Sequence, residues 1–116
     1  MLMQNNPILD FHDKKLKSAL TFFSRWRGRS AELWELTFSM KSLRVLIRGE
    51  NSNQNLLIVC LDPINISSPV RWNNCDFSLI ISLNEQSEKI YEISDTLARV
   101  KITCFGIEVK ENVKLW

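Results

Sequence analysis

The feature that most constrains the fold is a strict alternation of apolar and polar residues that begins at Trp34. The apolar members occupy even positions and are Trp34, Leu36, Phe38 and Met40. A period of two predicts a β-strand with one buried and one solvated face. The alternation continues at odd positions with Leu43, Val45 and Ile47. The change of parity near residues 41–42 predicts either a tight turn or a β-bulge, and the sequence leaves both open.

The stretch 56–61 is apolar at every position, which predicts a central strand covered on both faces. Asp62 and Pro63 are expected to end this strand, because proline has no N–H for the ladder, and an irregular connection is expected over 64–75. Further alternation predicts strands within 77–83, 89–93, 99–104 and 107–110, with a bulge expected at Gly106. The whole pattern predicts an all-β protein of one domain, residues 1–116, built as an antiparallel β-sandwich or a small open barrel of about six or seven strands.

The segment 14–26 fits two structures. Leu16, Leu20 and Phe23 have helical spacing, whereas Leu16, Ser18, Leu20 and Phe22 would share one face of a strand. We favour the strand.

Charge and cysteine usage limit the classes of function. The net charge is only +2, which argues against a general nucleic-acid binder, although residues 1–30 hold six basic and two acidic residues. The three cysteines form no Cys-x-x-Cys pair, so the sequence offers no zinc knuckle or thioredoxin motif. We expect Cys60 and Cys104, which lie in apolar strand patterns, to be buried thiols.

The expected environment is a reducing one. Residues 1–7 lack the basic start and apolar core of a signal peptide, and the longest apolar run has six residues where a membrane helix needs about 20. We therefore expect a cytoplasmic protein that has no membrane partner, cofactor or bound metal.

The only histidine, His12, stands between Asp10 and Asp13. A histidine beside a carboxylate is a candidate general base. Adjacent residues of a strand point to opposite faces, however, so a direct pair between His12 and Asp13 is not expected there. We interpret this stretch as structural, and we predict no catalytic residue and no enzyme activity.

Arginines alternate with aromatic residues over 22–30. Arg25, Trp26, Arg27 and Arg29 on an exposed loop would neutralise phosphates and stack bases, as single-strand binders do. The alternative is a solvated turn with Trp26 folded against the edge of the core.

A second candidate surface is the connection that follows Pro63. Ile64, Arg71 and Trp72 belong to residue types that are common in protein interfaces. The alternative is that these apolar side chains fold back over the sheet. The tentative partner-binding set is Arg25, Trp26, Arg27, Ile64, Arg71 and Trp72.

The opening Phe11-His12-Asp13-x-x-Leu16 resembles the start of a group of small bacterial β-rich proteins, some of which are grouped with the immunity proteins of polymorphic-toxin systems. The match covers six residues, roughly the expected first strand. The segment 60–69, with Cys60, Asp62, Ile66 and Pro69, is similar to a second pattern of that group. The resemblance implies a non-enzymatic β domain that binds another protein, and it transfers no catalytic residue.

Together these observations favour a protein-binding module, immunity-like or accessory. The first alternative is single-stranded nucleic-acid binding through 22–30, and the second is an enzyme that uses His12 with Asp13 or Asp10. An exposed edge strand would also allow a homodimer by strand pairing.

Overall fold

The computed structural model describes residues 14–39, 41–50 and 54–114. They form one helix and seven strands: α1 (Lys14–Arg25), β1 (Ala31–Thr37), β2 (Ser42–Ile47), β3 (Asn55–Ser67), β4 (Arg71–Trp72), β5 (Ser78–Leu83), β6 (Lys89–Asp95) and β7 (Val100–Val113). All strands belong to one antiparallel sheet with the order β4-β1-β2-β3-β7-β6-β5, which curls into a half-barrel. The predicted all-β fold of six or seven antiparallel strands is confirmed, in its open-barrel form.

A long ribbon of β3 and β7 joins two wings of the sheet. These strands have 13 and 14 residues and pair along most of their length. Strand β2 pairs only with residues 56–61 of β3, whereas β6 pairs only with residues 100–104 of β7. The main core lies inside the curl, where α1 packs against β5 and β7.

The segment 14–26 is helical up to Arg25, so the predicted strand is wrong. Ala19, Phe23 and Trp26, spaced by four and three residues, form the buried stripe that packs into the core. Leu20, which both the helix and the strand interpretation placed on the same face as Leu16, is exposed. Residues 14–26 alternate only partly between apolar and polar. The helix is therefore favoured over the strand, because it buries one apolar stripe against the curled sheet.

Strand β3 does not end at Pro63, which corrects the predicted boundary. It continues to Ser67, and β4 follows at 71–72, so 64–75 is not one irregular connection. Asp62 has a positive φ of 51°, and the register with β7 shifts between Pro63 and Asn65. Pro63 is tolerated because β2 ends opposite Leu61, which leaves β3 with a single neighbouring strand at this point.

Of the two alternatives considered for the parity change at 41–42, the structure has the tight turn. A tight turn joins β1 to β2, where the Lys41 N–H donates to the Phe38 carbonyl oxygen at 3.2 Å and Lys41 has a φ of 48°. A bulge interrupts β1 between Leu33 and Glu35. Leu33 packs against the core, but the apolar residues beyond the bulge, Trp34, Leu36 and Phe38, stay exposed. The predicted buried face of this strand is therefore largely open to solvent.

The cysteines lie where the sequence placed them. Cys60 and Cys104 are buried, as predicted, and Cys75 is buried as well; all three are free thiols. No helix in the described part of the chain is long and apolar enough to cross a membrane.

Candidate functional site

An open cleft of about 890 Å³ lies between the β1–β2 hairpin and the start of β6. The floor comes from the middle of the β3–β7 ribbon. The lining side chains are Leu36, Thr37, Phe38, Lys41, Asp62, Pro63, Ile66, Glu88, Lys89, Tyr91 and Phe105. A volume of this order is typical of clefts that bind a ligand or a peptide side chain.

Exposed apolar side chains surround this cleft. Phe38 at the tip of the hairpin is 82% exposed, and Leu36 and Phe105 are each 42% exposed. Large apolar residues brought together on a surface mark sites where a protein contacts another molecule. The group Leu36, Phe38 and Phe105 is called the apolar rim below.

The apolar rim lies at a place where the strands of the sheet are incompletely paired. Strand β1 pairs with β4 only at Ala31 and Glu32, and the Leu33 N–H donates to the Val70 carbonyl oxygen at 2.8 Å. Beyond that point, among the described residues, no strand pairs with β1 on the side opposite β2. Leu36 lies opposite Leu43 and so faces the inside of the curl at a place that β4 does not reach.

The charged groups of the cleft have both signs. Lys41 and Lys89 are basic, and Asp62 and Glu88 are acidic. Glu88 accepts a hydrogen bond from the Asn84 amide at 3.0 Å. Balanced charge does not favour a polyanion such as nucleic acid. Among the described residues, no group of three or more His, Cys, Asp or Glu side chains is arranged to hold a metal ion.

The structure places Trp26 in the core instead of on a binding surface. It is 8% exposed, and its indole N–H donates to Glu111 Oε2 at 2.7 Å. The Arg29 guanidinium lies over its ring, 5.1 Å from the centroid. Little of the ring is left for a base to stack on.

The neighbouring arginines form ion pairs with acidic side chains of the same chain. Arg25 lies 3.6 Å from Glu111, and Arg29 lies 3.8 Å from Glu50. Arg27 donates to Asp76 Oδ1 at 3.1 Å. These pairs are largely exposed, so they compete only weakly with a ligand.

The other three predicted residues lie apart from one another. Trp72 in β4 is half-buried, donates its indole N–H to Asp95 Oδ2 at 2.9 Å and packs edge-on against Phe77. Arg71 is exposed on the same strand. Ile64 is exposed on β3, beside the cleft residue Pro63. None of the six predicted partner-binding residues lines the cleft, although Ile64 adjoins it.

Sequence reasoning missed the apolar rim because its pattern has two interpretations. The alternation around Leu36 and Phe38 is the same for a buried strand face and for an exposed one. In addition, no residue type in this stretch predicts the bulge after Leu33. Asp10, His12 and Asp13, the residues of the candidate catalytic stretch, lie outside the described residues.

Comparison with known proteins identifies no relative: no family model, no curated protein and no solved structure matches the chain.

Proposed function

We propose that this chain is a non-enzymatic protein-binding module whose docking site is the cleft with its apolar rim. The observation that carries the proposal is the exposure of Phe38, Leu36 and Phe105 around one concavity. Burying aromatic and aliphatic side chains in a partner's surface is the main source of binding energy in protein interfaces.

The side chains of the cleft support a protein partner by their chemistry. The lining combines apolar side chains with four charged ones, Lys41, Asp62, Glu88 and Lys89. Protein interfaces contain a similar mixture of apolar and polar groups. The buried free thiols fit a reducing compartment, so we propose that the module works in the cytoplasm.

The resemblance of the opening residues to toxin-immunity proteins suggests one class of partner, a protein toxin. That assignment belongs to the proposal and depends on the sequence resemblance at residues 11–16 and 60–69.

Selection from a phage-displayed peptide library tests the proposal. We expect peptides to be enriched on the wild-type protein and to bind Phe38→Ser at least about tenfold more weakly, a difference of about 1.4 kcal/mol. The matched control is Leu97→Ser, because Leu97 is 92% exposed in the turn between β6 and β7 and does not line the cleft. It should leave binding unchanged.

Circular dichroism confirms that both variants fold before binding is compared. The proposal fails if no peptide is enriched, or if Phe38→Ser binds the enriched peptides as tightly as Leu97→Ser does.

Single-stranded nucleic-acid binding through 22–30 has less support. The Trp26 ring is buried and the Arg29 guanidinium lies over it, so the ring is not open for a base to stack on. The binding of a labelled oligothymidine, measured by fluorescence anisotropy, distinguishes nucleic-acid binding from protein binding. Saturable binding whose affinity falls steeply with salt would favour the nucleic-acid alternative.

A further inference from the structure

We propose that a pocket on the outer face of the sheet, between β1 and β4, binds a carboxylate group through Arg48 and Arg71. The pocket has a volume of about 380 Å³, and its polar lining also includes Ser30, Glu32 and Asn73. It shares no lining residue with the cleft, so it is a site separate from the proposed docking site.

The register of the sheet places the charged side chains of this pocket on one face. Arg71 lies opposite Glu32 across β4 and β1, and residues that lie opposite one another in a sheet point to the same face. Their chain neighbours, Ala31 and Trp72, also lie opposite one another and pack in the core. Since neighbours in a strand alternate between faces, Glu32 and Arg71 point outward.

Arg48 is held in place from two sides. Its Nε donates to Glu32 Oε1 at 2.7 Å, and its Nη2 lies 2.6 Å from the same oxygen. The guanidinium also lies over the Trp34 ring, 5.4 Å from the centroid. Neither hydrogen bond uses Nη1, so a fixed guanidinium keeps N–H donors for a ligand. A group that is already ordered loses little conformational freedom on binding.

Arg71 supplies donors that nothing else in the described chain uses. It is exposed, and among the described residues no hydrogen bond or ion pair engages its guanidinium. A guanidinium has five N–H donors in a planar fork that matches the two oxygens of a carboxylate. This gives Arg71, which the sequence placed among the partner-binding residues, a specific ligand chemistry.

The charge of the pocket favours a carboxylate over other oxyanions. Two guanidiniums and the Glu32 carboxylate leave one positive charge in excess. A carboxylate ligand neutralises that charge. A phosphate group carries about −1.5 to −2 at neutral pH, so it exceeds the available charge and is repelled more strongly by Glu32.

Titration with sodium acetate, followed by nuclear magnetic resonance, tests the site. Acetate replaces chloride at constant ionic strength, because exposed charges respond to salt in general. We expect saturable shifts of the side-chain N–H signals of Arg48 and Arg71 and of the backbone amides within 30–32 and 71–73.

Variants of Arg71 show whether its guanidinium binds the ligand. Arg71→Gln should weaken acetate binding at least about tenfold, because one of the two guanidiniums is lost. Arg71→Lys should weaken it less, since lysine keeps the charge but not the planar fork. The matched control is Arg99→Gln, because Arg99 is exposed, has no ion pair among the described residues and does not line the pocket. It should leave binding unchanged.

Two further probes identify the source of the carboxylate. N-acetylglycine carries the carboxylate of a chain end, and the α-amide of N-acetylglutamate carries that of an acidic side chain. Tighter binding of one of them than of acetate assigns the site to that group on a peptide. Equal binding of all three assigns it to small free carboxylates.

Three results would overturn the carboxylate site. The first is a set of shifts that grow linearly with acetate and do not saturate. The second is an Arg71→Gln protein that binds acetate as tightly as Arg99→Gln does. The third is tighter binding of inorganic phosphate than of acetate, which would make the ligand a phosphate group. None of these results bears on the cleft, which is tested by Phe38→Ser.

Discussion

The indole N–H of Trp26 donates a hydrogen bond to Glu111 Oε2 at 2.7 Å, which ties the end of α1 to the far end of β7. The two residues are 85 positions apart in the sequence. Arg25 reaches the same carboxylate at 3.6 Å. This contact explains why a tryptophan among arginines serves the core: it fixes the helix inside the curl of the sheet.

Replacing Glu111 with alanine should lower the free energy of unfolding by about 1–3 kcal/mol, because the partly buried indole N–H loses a charged acceptor. Glu111→Gln should cost less, since the amide oxygen still accepts. Urea unfolding followed by circular dichroism gives both values.

A double-mutant cycle isolates this hydrogen bond. In a Trp26→Phe background, Glu111→Ala should be markedly milder than in the wild type. Equal losses in the two backgrounds would mean that the hydrogen bond does not contribute to stability.

Asp95 provides a second test of the internal framework. It is 1% exposed, and its Oδ2 accepts from the Trp72 indole and from the Asp76 N–H, each at 2.9 Å. Asp95→Ala should destabilise the protein by about 1–3 kcal/mol for each donor left unpaired.

Asp76→Ala is the matched control for Asp95→Ala. The Asp76 carboxylate is exposed and pairs with Arg27, so its loss should cost less than about 1 kcal/mol. If the two alanine variants have the same thermal midpoint, Asp95 is not the anchor that its hydrogen bonds indicate.

Much of the sheet was predictable because its strands have clear local patterns. The alternation at 43–47 and the fully apolar run 56–61 form the neighbouring strands β2 and β3. The structure of 14–26 was not predictable in the same way. The helix is stabilised by the packing of Ala19 and Phe23 into the core, and the curled sheet forms most of that core. The extension of β3 through Pro63 depends equally on long-range pairing, since proline is tolerated only where β2 stops.

The candidate site was less predictable than the fold. Trp26 and Trp72 have the composition of interface residues, but both indoles donate to internal carboxylates that lie far away in the sequence. Phe38 has the pattern of a core residue but stands at a hairpin tip. Whether an aromatic side chain is buried depends on pairing between distant strands, which alternation alone does not reveal.

The two glycines that flank β1 and β2 predict contrasting effects of added methyl groups. A Cβ at Gly49 would collide with the Gln54 carbonyl oxygen, so the backbone has to move. A Cβ at Gly28 would meet nothing closer than 3.8 Å, but its φ of 88° is unfavourable for alanine. We expect Gly49→Ala to lower the free energy of unfolding by about 3 kcal/mol or more, and Gly28→Ala by about 1–2 kcal/mol.

Urea unfolding of both glycine variants checks this order. A Gly49→Ala protein as stable as Gly28→Ala would show that Gly49 and Gln54 can move apart at little cost.

The buried thiol of Cys75 predicts a loss of stability in alkaline solution. Burial raises the pKa of Cys75 above its ordinary value of 9.0. The hydrogen bond between Cys60 and Cys104 raises the pKa of Cys60 but lowers that of Cys104, so this pair does not give a clear direction. A raised folded-state pKa means that the folded protein holds its protons more tightly, so this stability is fully present below pH 9 and is lost as the pH rises further. Such a thiol contributes a slope of up to about 1.4 kcal/mol per pH unit.

Unfolding free energies measured between pH 8 and 10 under reducing conditions test the thiol prediction. The wild type should lose stability more steeply above pH 9 than Cys75→Ala does. The cavity left by the alanine lowers stability equally at every pH, and lysine and tyrosine titrations are common to both proteins, so only the difference in slope reports on Cys75. Parallel curves would mean that the Cys75 thiol ionises as readily in the folded protein as in the unfolded chain.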